Sequence, residues 1–263
     1  IDLWQKVRAL SPDLVHECHQ SGRTGKFFKL FSFFHGADYS FYNHHFGRSK
    51  DMGEWSGVKT PIIQKDLNGL YRYRGKGECP DYLSYPPRIE LEQKPIREKA
   101  VILGVSSSAE SKMWPLEYYV QLGQDLSKAG FKVKIPLSSS PKDLWIKERM
   151  KALGASRVEW IETSLERLPY EVAKATHYIG NDNGPKHLCA ALGLKTLTLF
   201  GPIPPSEWHP YDREKHRYLY REPLACRTVK ADFCALTKCD SMICLNRFGP
   251  KEVLEEFLRG VRW

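Results

Sequence analysis

The chain of 263 residues contains no uncharged apolar run near the roughly 18 residues that a membrane-spanning helix needs. Its opening residues, 1–6, lack the apolar core of a secretory signal peptide. A dense basic tract is missing as well, because the 40 lysines and arginines are spread along the chain. The first two absences favour a folded cytoplasmic protein over a membrane-spanning or secreted one, and the third argues against a nucleic-acid-binding protein.

The sequence also lacks the cysteine spacing of a disulfide scaffold or a zinc knuckle. Its seven cysteines are an odd number, which indicates reduced thiols. Four of them cluster at Cys226, Cys234, Cys239 and Cys244. No C-x-x-C pair occurs among them, so we expect a metal-free loop, with a zinc or iron site held by these thiolates as the alternative.

What the chain does contain is enough apolar material for two modest domains, at 41% hydrophobic and 12% aromatic residues. The formal net charge is +9, with an isoelectric point near 9.1. Such a charge predicts an anionic partner, which can be a nucleic acid, an anionic membrane face or a phosphorylated substrate. Charge alone does not choose among them.

Strand and helix patterns alternate from residue 99 onward. Strands are predicted over 100–105, 131–137, 157–161 and 176–180, and helices over 115–129, 141–153 and 164–175. Such alternation predicts an α/β fold, with a parallel sheet covered by helices on both faces. Ligands of these sheets bind at the carboxyl ends of the strands, where the loops 106–112, 159–164, 181–187 and 201–205 would gather.

The loop at residues 181–187 carries the strongest chemical signal. It reads Asn-Asp-Asn-Gly-Pro-Lys-His and leads into a predicted helix. Gly184 lets the backbone approach a ligand, the amides at the helix start favour an anion, and Lys186 and His187 add donors. The pattern therefore predicts a phosphate site, with an ordinary capped helix as the alternative.

Neighbouring motifs extend this signal into a family resemblance. The loop, the Phe200-Gly201-Pro202 after it and the Lys112-Met113-Trp114-Pro115 before it resemble the C-terminal half of glycosyltransferase family 9, the lipopolysaccharide heptosyltransferases. The resemblance implies two Rossmann-like domains of the GT-B type, the N-terminal one incomplete here. Residues 1–95 would form the acceptor-side domain with a linker, and residues 96–263 the nucleotide-sugar domain.

The resemblance also implies an activity: inverting transfer of heptose from ADP-heptose to the lipopolysaccharide inner core, with no required cofactor. The partners would be the nucleotide sugar, a phosphorylated glycolipid acceptor (the lipid A and Kdo core) and an anionic membrane surface, and not nucleic acid. The protein would then lie peripherally on the inner face of the bacterial cytoplasmic membrane. Arg23 and Lys26 fall in the region that resembles the family's acceptor side.

Site residues carry over from the resemblance position by position. Ser107, Ser108 and Lys112 would contact the diphosphate, and Glu159 the ribose of the nucleoside. Asp182 would bind the donor sugar or order its loop. The full set implied for donor binding is Ser107, Ser108, Lys112, Glu159, Thr163, Asp182, Asn183, Gly184, Pro185, Lys186 and His187. Without the resemblance, helix capping and solvated charges explain the same residues.

Two departures from the family pattern leave other functions open. The family's catalytic aspartate would precede residue 1, so Glu17 and His19 are the substitutes that this sequence offers as a base. Pro204 and Pro205 replace the usual Thr-Asp after F-G-P. A catalytically impaired nucleotide-binding subunit is therefore one alternative, and a basic, cysteine-clustered nucleic-acid-binding protein is another. The aromatic run at 27–34 is expected to pack in the core.

Overall fold

A computed structural model describes residues 2–17, 22–41, 61–74, 79–209, 211–222, 224–227, 234 and 238–261. The chain divides into two compact units. The first comprises Ile1–Tyr85 with Ser206–Pro210, and the second comprises Pro86–Pro205 with Tyr211–Trp263. The functional division expected at residue 95 stays a prediction. Within the described residues, no helix combines the length and apolarity that crossing a membrane requires.

Within its described residues up to Tyr85, the first unit contains a pair of parallel strands and three α-helices. The elements are α1 (Asp2–Ala9), β1 (Leu14–Glu17), α2 (Gly22–His35), β2 (Asp38–Phe41) and α3 (Ile62–Arg74). Leu14 pairs with Asp38 and Glu17 with Phe41. Trp4 of α1 meets the ring of Phe31 edge-on, with centroids 5.1 Å apart, which holds α1 against α2.

The aromatic run at 27–34 corrects one expectation. The run lies within α2, and Phe31 is fully buried as predicted. Leu30, Phe33 and Phe34 are instead exposed to solvent. Helical residues three or four positions apart share a face, so eight consecutive residues cover the whole circumference and cannot all turn inward. Core packing is therefore wrong for half of the run.

The second unit is built on six parallel strands. They are β3 (Ala100–Gly104), β4 (Lys132–Pro136), β5 (Val158–Ile161), β6 (His177–Asn181), β7 (Lys195–Phe200) and β8 (His216–Tyr220). Their order in the sheet is β5-β4-β3-β6-β7-β8. This is the Rossmann order, in which the connections reverse direction between the first and fourth strands, here β3 and β6. The α/β prediction is confirmed, and the reversal locates a crevice at the carboxyl ends of β3 and β6.

Helices cover both faces of this sheet. Among the described residues, the α-helices of the second unit are α4 (Leu116–Lys128), α5 (Pro141–Ala152), α6 (Leu168–Val172), α7 (Gly184–Ala191), α9 (Ile243–Asn246) and α10 (Pro250–Gly260), whereas α8 (Pro205–Trp208) belongs to the first unit from Ser206 onward. Successive side chains of β3 point to opposite faces of the sheet, and each face has its own hydrophobic core. Leu103 packs in one of these cores and Ile102 in the other. Helix α6 is shorter than predicted because Pro169 belongs in a first helical turn.

Two glycines bring β3 and β6 together beside the crevice. Gly104 and Gly180 are register partners in the ladder. A Cβ on Gly180 would lie 2.6 Å from the Gly104 carbonyl oxygen, and one on Gly104 would lie 2.0 Å from the Tyr178 hydroxyl. Any side chain at either position would therefore collide with its neighbour. The absence of a side chain at Gly104 leaves room for the Tyr178 ring beneath the crevice, and its absence at Gly180 leaves room for the Gly104 backbone.

Candidate functional site

A cleft of about 330 Å³ opens at the carboxyl ends of β3 to β6. The loops that follow these four strands line it, through residues 104–108, 136–138, 143, 163, 165, 168 and 183–185. Parallel strands all end at one edge of their sheet, so segments far apart in sequence converge there. Of the predicted donor residues, the structure brings Ser107, Ser108, Thr163, Asn183 and Gly184–Pro185 to the cleft wall.

The loop after β3 supplies hydroxyl groups to the cleft. Ser107 is buried, and within the described part of the chain its Oγ has no hydrogen-bond partner. The Nζ of Lys142 donates a hydrogen bond to the Ser107 carbonyl oxygen, which brings a cation to the same loop. Buried hydroxyls are normally paired, so the Ser107 hydroxyl is a group that a ligand can satisfy.

A carboxylate that the sequence analysis missed also lines the cleft. Asp143 accepts hydrogen bonds from Ser106 Oγ at 2.6 Å, from the Ser138 amide at 2.8 Å and from Ser138 Oγ at 2.5 Å. Burial alone would raise the pKa of Asp143, but these bonds outweigh it and hold the pKa below its ordinary value. The sequence signal for it was the serine-proline start of α5, where Ser140 caps the helix.

Asparagine side chains fasten the loop after β6 to the loop after β3. Asn183 caps α7 by accepting the Lys186 amide at 3.0 Å, and its Nδ2 donates to the Ser106 carbonyl at 2.8 Å. Asn181 accepts the Trp114 amide at 2.9 Å and donates to the Val105 carbonyl at 2.9 Å. Each asparagine side chain thus accepts one hydrogen bond and donates another. Together the two side chains fix the distance between the loop after β3 and the loop after β6, and so the width of the cleft.

Helix α7 offers fewer free amides to an anion than its sequence suggests. Pro185 has no N–H, and the Asn183 side chain occupies the Lys186 amide. Gly184 carries the one first-turn amide that neither proline nor the cap removes. The helix contribution predicted for phosphate therefore narrows to that amide and the helix dipole.

Asp182 lies between two lysines at the start of this loop. Its carboxylate is 2.5 Å from Lys186 Nζ and 3.3 Å from Lys112 Nζ. Burial would raise the pKa of Asp182, but the charges of Lys186 and Lys112 outweigh it and lower the pKa. Asp182 is therefore ionised at neutral pH, and it orders the loop rather than donating a proton.

The two lysines have different exposure. The Lys186 side chain is fully buried, with its ammonium 4.9 Å from the centroid of the Phe200 ring. The Lys112 side chain keeps 19% of its surface exposed. A cation that is sealed beneath the loop can hold Asp182 but cannot reach into the cleft. Neither lysine is among the residues that line the cleft, and neither are Asp182 and His187. Of the two lysines, Lys112 has the partly exposed side chain, so its phosphate contact stays a prediction.

His187 is half-buried beside Tyr211. Its Nδ1 is 2.5 Å from the Tyr211 hydroxyl, and its Nε2 is 3.9 Å from the Asp182 carboxylate. Burial raises the pKa of Tyr211, so its phenol stays protonated. With the phenol donating to Nδ1, a neutral imidazole carries its proton on Nε2. The Tyr211 hydroxyl thus fixes the orientation of the His187 imidazole, which was predicted to contact phosphate.

Glu159 lies away from the cleft. It is the second residue of β5, where its carboxylate is 3.0 Å from Lys134 Nζ. Lys134 also pairs with Glu98 at 2.6 Å. Within the described chain Glu159 is not among the cleft-lining residues, whereas Asp143 is. The carboxylate at the cleft wall is thus Asp143, and the ribose contact of Glu159 stays a prediction.

The candidates in the first unit have distinct surroundings. Glu17 is buried in β1 and accepts a hydrogen bond from the Tyr39 hydroxyl. Arg23 and Lys26 are exposed on α2. His19 lies outside the described residues. The Tyr39 hydroxyl already occupies part of the accepting capacity of the Glu17 carboxylate, which makes Glu17 less suited to act as a base.

The clustered cysteines show no metal-binding geometry in the described parts of the chain, where no group of three or more histidine, cysteine or carboxylate side chains could hold an ion. Cys226 is exposed, and Cys234, Cys239 and Cys244 are half-buried. Hydrogen bonds from the Ser241 hydroxyl and the Met242 amide lower the pKa of Cys239. Burial raises the pKa of Cys244.

Sequence comparisons place these features in context. The profile described as Glycosyltransferase family 9 (heptosyltransferase) matches residues 80–234, more than half of the chain. Lipooligosaccharide heptosyltransferase 2 of Campylobacter jejuni subsp. jejuni serotype O:2 is 23% identical over 171 residues, covering 61% of this chain and 51% of that protein. Lipopolysaccharide heptosyltransferase 1 of Escherichia coli strain K12 is 32% identical over 111 residues, covering 41% and 33%.

A solved structure gives the corresponding result for the fold. E. coli heptosyltransferase WaaC with ADP superposes with a TM-score of 0.64 at 16% sequence identity, covering 99% of this chain and 78% of that one. This likeness confirms the GT-B fold class expected from the sequence. The chain spans about half the length of the first of these curated relatives.

Proposed function

The chain belongs to glycosyltransferase family 9, the heptosyltransferase family, and from this premise we propose that it transfers heptose from ADP-heptose to the lipopolysaccharide inner core with inversion at the anomeric carbon. The donor would occupy the cleft at the carboxyl ends of β3 to β6. The observation that carries the proposal is the Ser107 hydroxyl, which is buried at the cleft wall with no partner among the described residues. A diphosphate oxygen supplies the acceptor that this hydroxyl needs.

Stabilisation of the leaving diphosphate falls to cations around the same loops. Lys142 is bonded to the backbone of Ser107, and Lys112 is a partly exposed ammonium beside Asp182. Asp182 keeps Lys112 near the end of β6 by ion pairing. An incoming diphosphate can then attract the Lys112 ammonium without a large movement of the chain. Electrostatic stabilisation of this kind acts on the charge that develops as the sugar departs.

The adenosine part of the donor would use the remaining walls of the cleft. Leu137, Leu165 and Leu168 line it with apolar surface that suits an adenine ring. Asp143 supports a ribose contact, since Rossmann sheets commonly place a carboxylate for a ribose hydroxyl after their second strand, here β4. This assignment replaces the ribose role first predicted for Glu159.

The acceptor side of the proposal rests on the positive charge of the chain. We propose a phosphorylated glycolipid as acceptor and the anionic inner face of the cytoplasmic membrane as the place of reaction. Arg23 and Lys26 are exposed cations, as contact with phosphate requires. Glu17 is proposed as the base, because it is the last residue of β1 and ligands of parallel sheets bind at the carboxyl ends of the strands.

Calorimetry with ADP tests the donor site. ADP binding should weaken about tenfold or more in Lys112→Ala, because a charge-assisted contact is lost. Lys128→Ala on α4 is the matched control, since Lys128 is an exposed lysine paired to Asp125. No detectable binding at millimolar ADP would refute the proposed donor site. Binding without heptose transfer would instead favour the nucleotide-binding subunit.

A further inference from the structure

Two tyrosines are fully buried near the carboxyl ends of β3 and β6, and their hydroxyls have different partners. Tyr119 lies on α4 and Tyr178 on β6, and neither side chain is exposed. The Tyr119 hydroxyl donates to the Gly104 carbonyl oxygen at 3.1 Å, which is a backbone group of β3. The Tyr178 hydroxyl instead reaches the loop that follows its own strand. Of the two phenols, Tyr178 is therefore the one that contacts a loop of the cleft wall.

The Tyr178 hydroxyl joins the end of β6 to the loop after it. The oxygen lies 2.7 Å from the Asn181 carbonyl oxygen and 2.9 Å from Asn183 Oδ1, and both of these atoms are acceptors. Burial holds the pKa of Tyr178 well above its ordinary value, so the phenol keeps the proton that it donates. Because one proton is shared between these two acceptors, the phenol fixes the Asn183 side chain relative to the backbone at the end of β6.

Asn183 carries this restraint to the loop after β3. Its Oδ1 faces the phenol and accepts the Lys186 amide, so its Nδ2 faces the Ser106 carbonyl oxygen, 2.8 Å away. Ser106 is followed by Ser107 and Ser108, and all three residues line the cleft. A chain of hydrogen-bonded groups thus leads from a fully buried phenol to the hydroxyls of the cleft wall.

Gly104 provides the space that the Tyr178 hydroxyl occupies. A Cβ at this position would lie 2.0 Å from the phenol oxygen. Core packing alone does not require that oxygen, because a phenylalanine ring would fill the same part of the core. The hydroxyl is therefore explained by its hydrogen bonds to the loop rather than by the volume that it fills.

We propose that Tyr178 is a positioning residue for the nucleotide cleft, whose hydroxyl holds Asn183 and, through Asn183, the loop after β3. The inference rests on the proposed donor site, since the ligand is the diphosphate proposed for that cleft. Tyr178 itself is not among the residues that line the cleft, so it acts without touching the ligand. Loops that are ordered before binding lose less conformational entropy when a ligand arrives, and removal of the hydroxyl should therefore weaken binding.

ADP calorimetry of two matched tyrosine variants tests the inference. Tyr178→Phe should weaken ADP binding about five- to tenfold, which corresponds to the loss of one hydrogen bond. Tyr119→Phe removes an equally buried hydroxyl that is bonded to β3 instead of the loop. It should lower the urea midpoint of unfolding about as much as Tyr178→Phe does, but should keep the ADP affinity within about twofold of the parent.

Two further measurements show whether the effect passes through Asn183. In the Asn183→Ala background, which lacks the bridging amide, Tyr178→Phe should change the ADP affinity by less than about twofold. Hydrogen exchange without ligand reports on the loops directly. Peptides that span 104–110 and 181–188 should exchange faster in Tyr178→Phe than in Tyr119→Phe.

Three results would overturn the inference. An ADP affinity of Tyr178→Phe equal to that of the parent would show that the cleft does not need the hydroxyl. Equal losses of affinity in Tyr178→Phe and Tyr119→Phe would assign the effect to general destabilisation. An undiminished effect in the Asn183→Ala background would separate the phenol from Asn183. A parent chain that does not bind ADP would refute the proposed donor site instead, and the exchange comparison would then decide whether Tyr178 orders the loops.

Discussion

Lys186 and Asp182 form an ion pair that is sealed from solvent, with 2.5 Å between the ammonium and the carboxylate. The lysine side chain is fully buried, and the aspartate side chain is 8% exposed. Burial lowers the pKa of Lys186, and the Asp182 charge opposes that shift. Each ion therefore depends on the other to remain charged beneath the cleft loop.

Removing the Lys186 charge should take the closer of its two lysine partners from the buried Asp182 carboxylate, which keeps Lys112 at 3.3 Å. We expect Lys186→Met to lower the free energy of unfolding by about 3 kcal/mol, because the remaining lysine partner is more distant and partly exposed. Adding Asp182→Asn to the same chain should recover much of that loss, since no buried carboxylate then remains to be compensated. Urea unfolding of the single and double variants measures both values, and full additivity would contradict the coupling.

The same pair predicts different effects of the two lysines on ligand binding. Lys112→Met should weaken ADP binding while leaving the unfolding free energy within about 1 kcal/mol of the parent, because its ion pair is partly exposed. Lys186→Met should affect both quantities, through displacement of the loop. Equal losses of stability in the two variants would show that burial does not distinguish them.

The close approach of β3 and β6 gives a third prediction. Gly180→Ala should destabilise the protein by about 2 kcal/mol or more and weaken ADP binding, because its Cβ would meet the backbone of Gly104 at 2.6 Å. The matched control is Gly123→Ala in α4, whose Cβ would make ordinary contacts of 3.8 Å. That change should be neutral or stabilising by about 0.5–1 kcal/mol, since alanine favours helix. Thermal unfolding and ADP calorimetry of both variants decide the matter.

Sequence reasoning predicted the sheet and the edge at which its loops meet, because strand periodicity and helix caps are local signals. It did not predict that the Lys186 side chain is buried, because a lysine in a loop is normally solvated. The burial depends on the rings of Phe200 and Tyr211, which pack beside the ammonium in the folded chain. Sequence reasoning assigned the ribose contact to Glu159 on the family resemblance and did not consider Asp143, because the hydrogen bonds that bring Asp143 to the cleft depend on Ser106, 37 residues earlier.

Two buried histidines predict acid sensitivity of the second unit. Burial lowers the pKa of His177 and of His216 to about 4. In the unfolded chain both take up a proton near pH 6.5, so the unfolded state binds more protons between pH 6.5 and 4. Stability is therefore complete above pH 6.5 and falls as the pH is lowered. The loss from pH 7 to pH 5 should be about 2 kcal/mol for each histidine.

Replacing one histidine isolates its share of this loss. His216→Gln should reduce the difference in unfolding free energy between pH 7 and pH 5 by about 2 kcal/mol, because glutamine does not titrate. His35→Gln on α2 is the control, as His35 is exposed. Urea titrations at both pH values, followed by hydrogen exchange of the β6 and β7 amides, report on the second unit itself. An unchanged difference in His216→Gln would contradict the assignment.

The cleft carboxylate gives the last prediction. Asp143 already accepts three hydrogen bonds from Ser106 and Ser138, and an ionised carboxylate has room for about four, which leaves capacity for a ribose hydroxyl. Asp143→Asn should therefore weaken adenosine and ADP alike by about tenfold, since a hydrogen bond to a charged group is lost. Lys112→Ala should weaken ADP and leave adenosine unchanged, because adenosine carries no phosphate. Asp125→Asn on α4 is the control, as that carboxylate pairs with Lys128 away from the cleft. Calorimetry with the two ligands separates the contacts, and adenosine binding that is unaltered in Asp143→Asn would return the ribose contact to another residue.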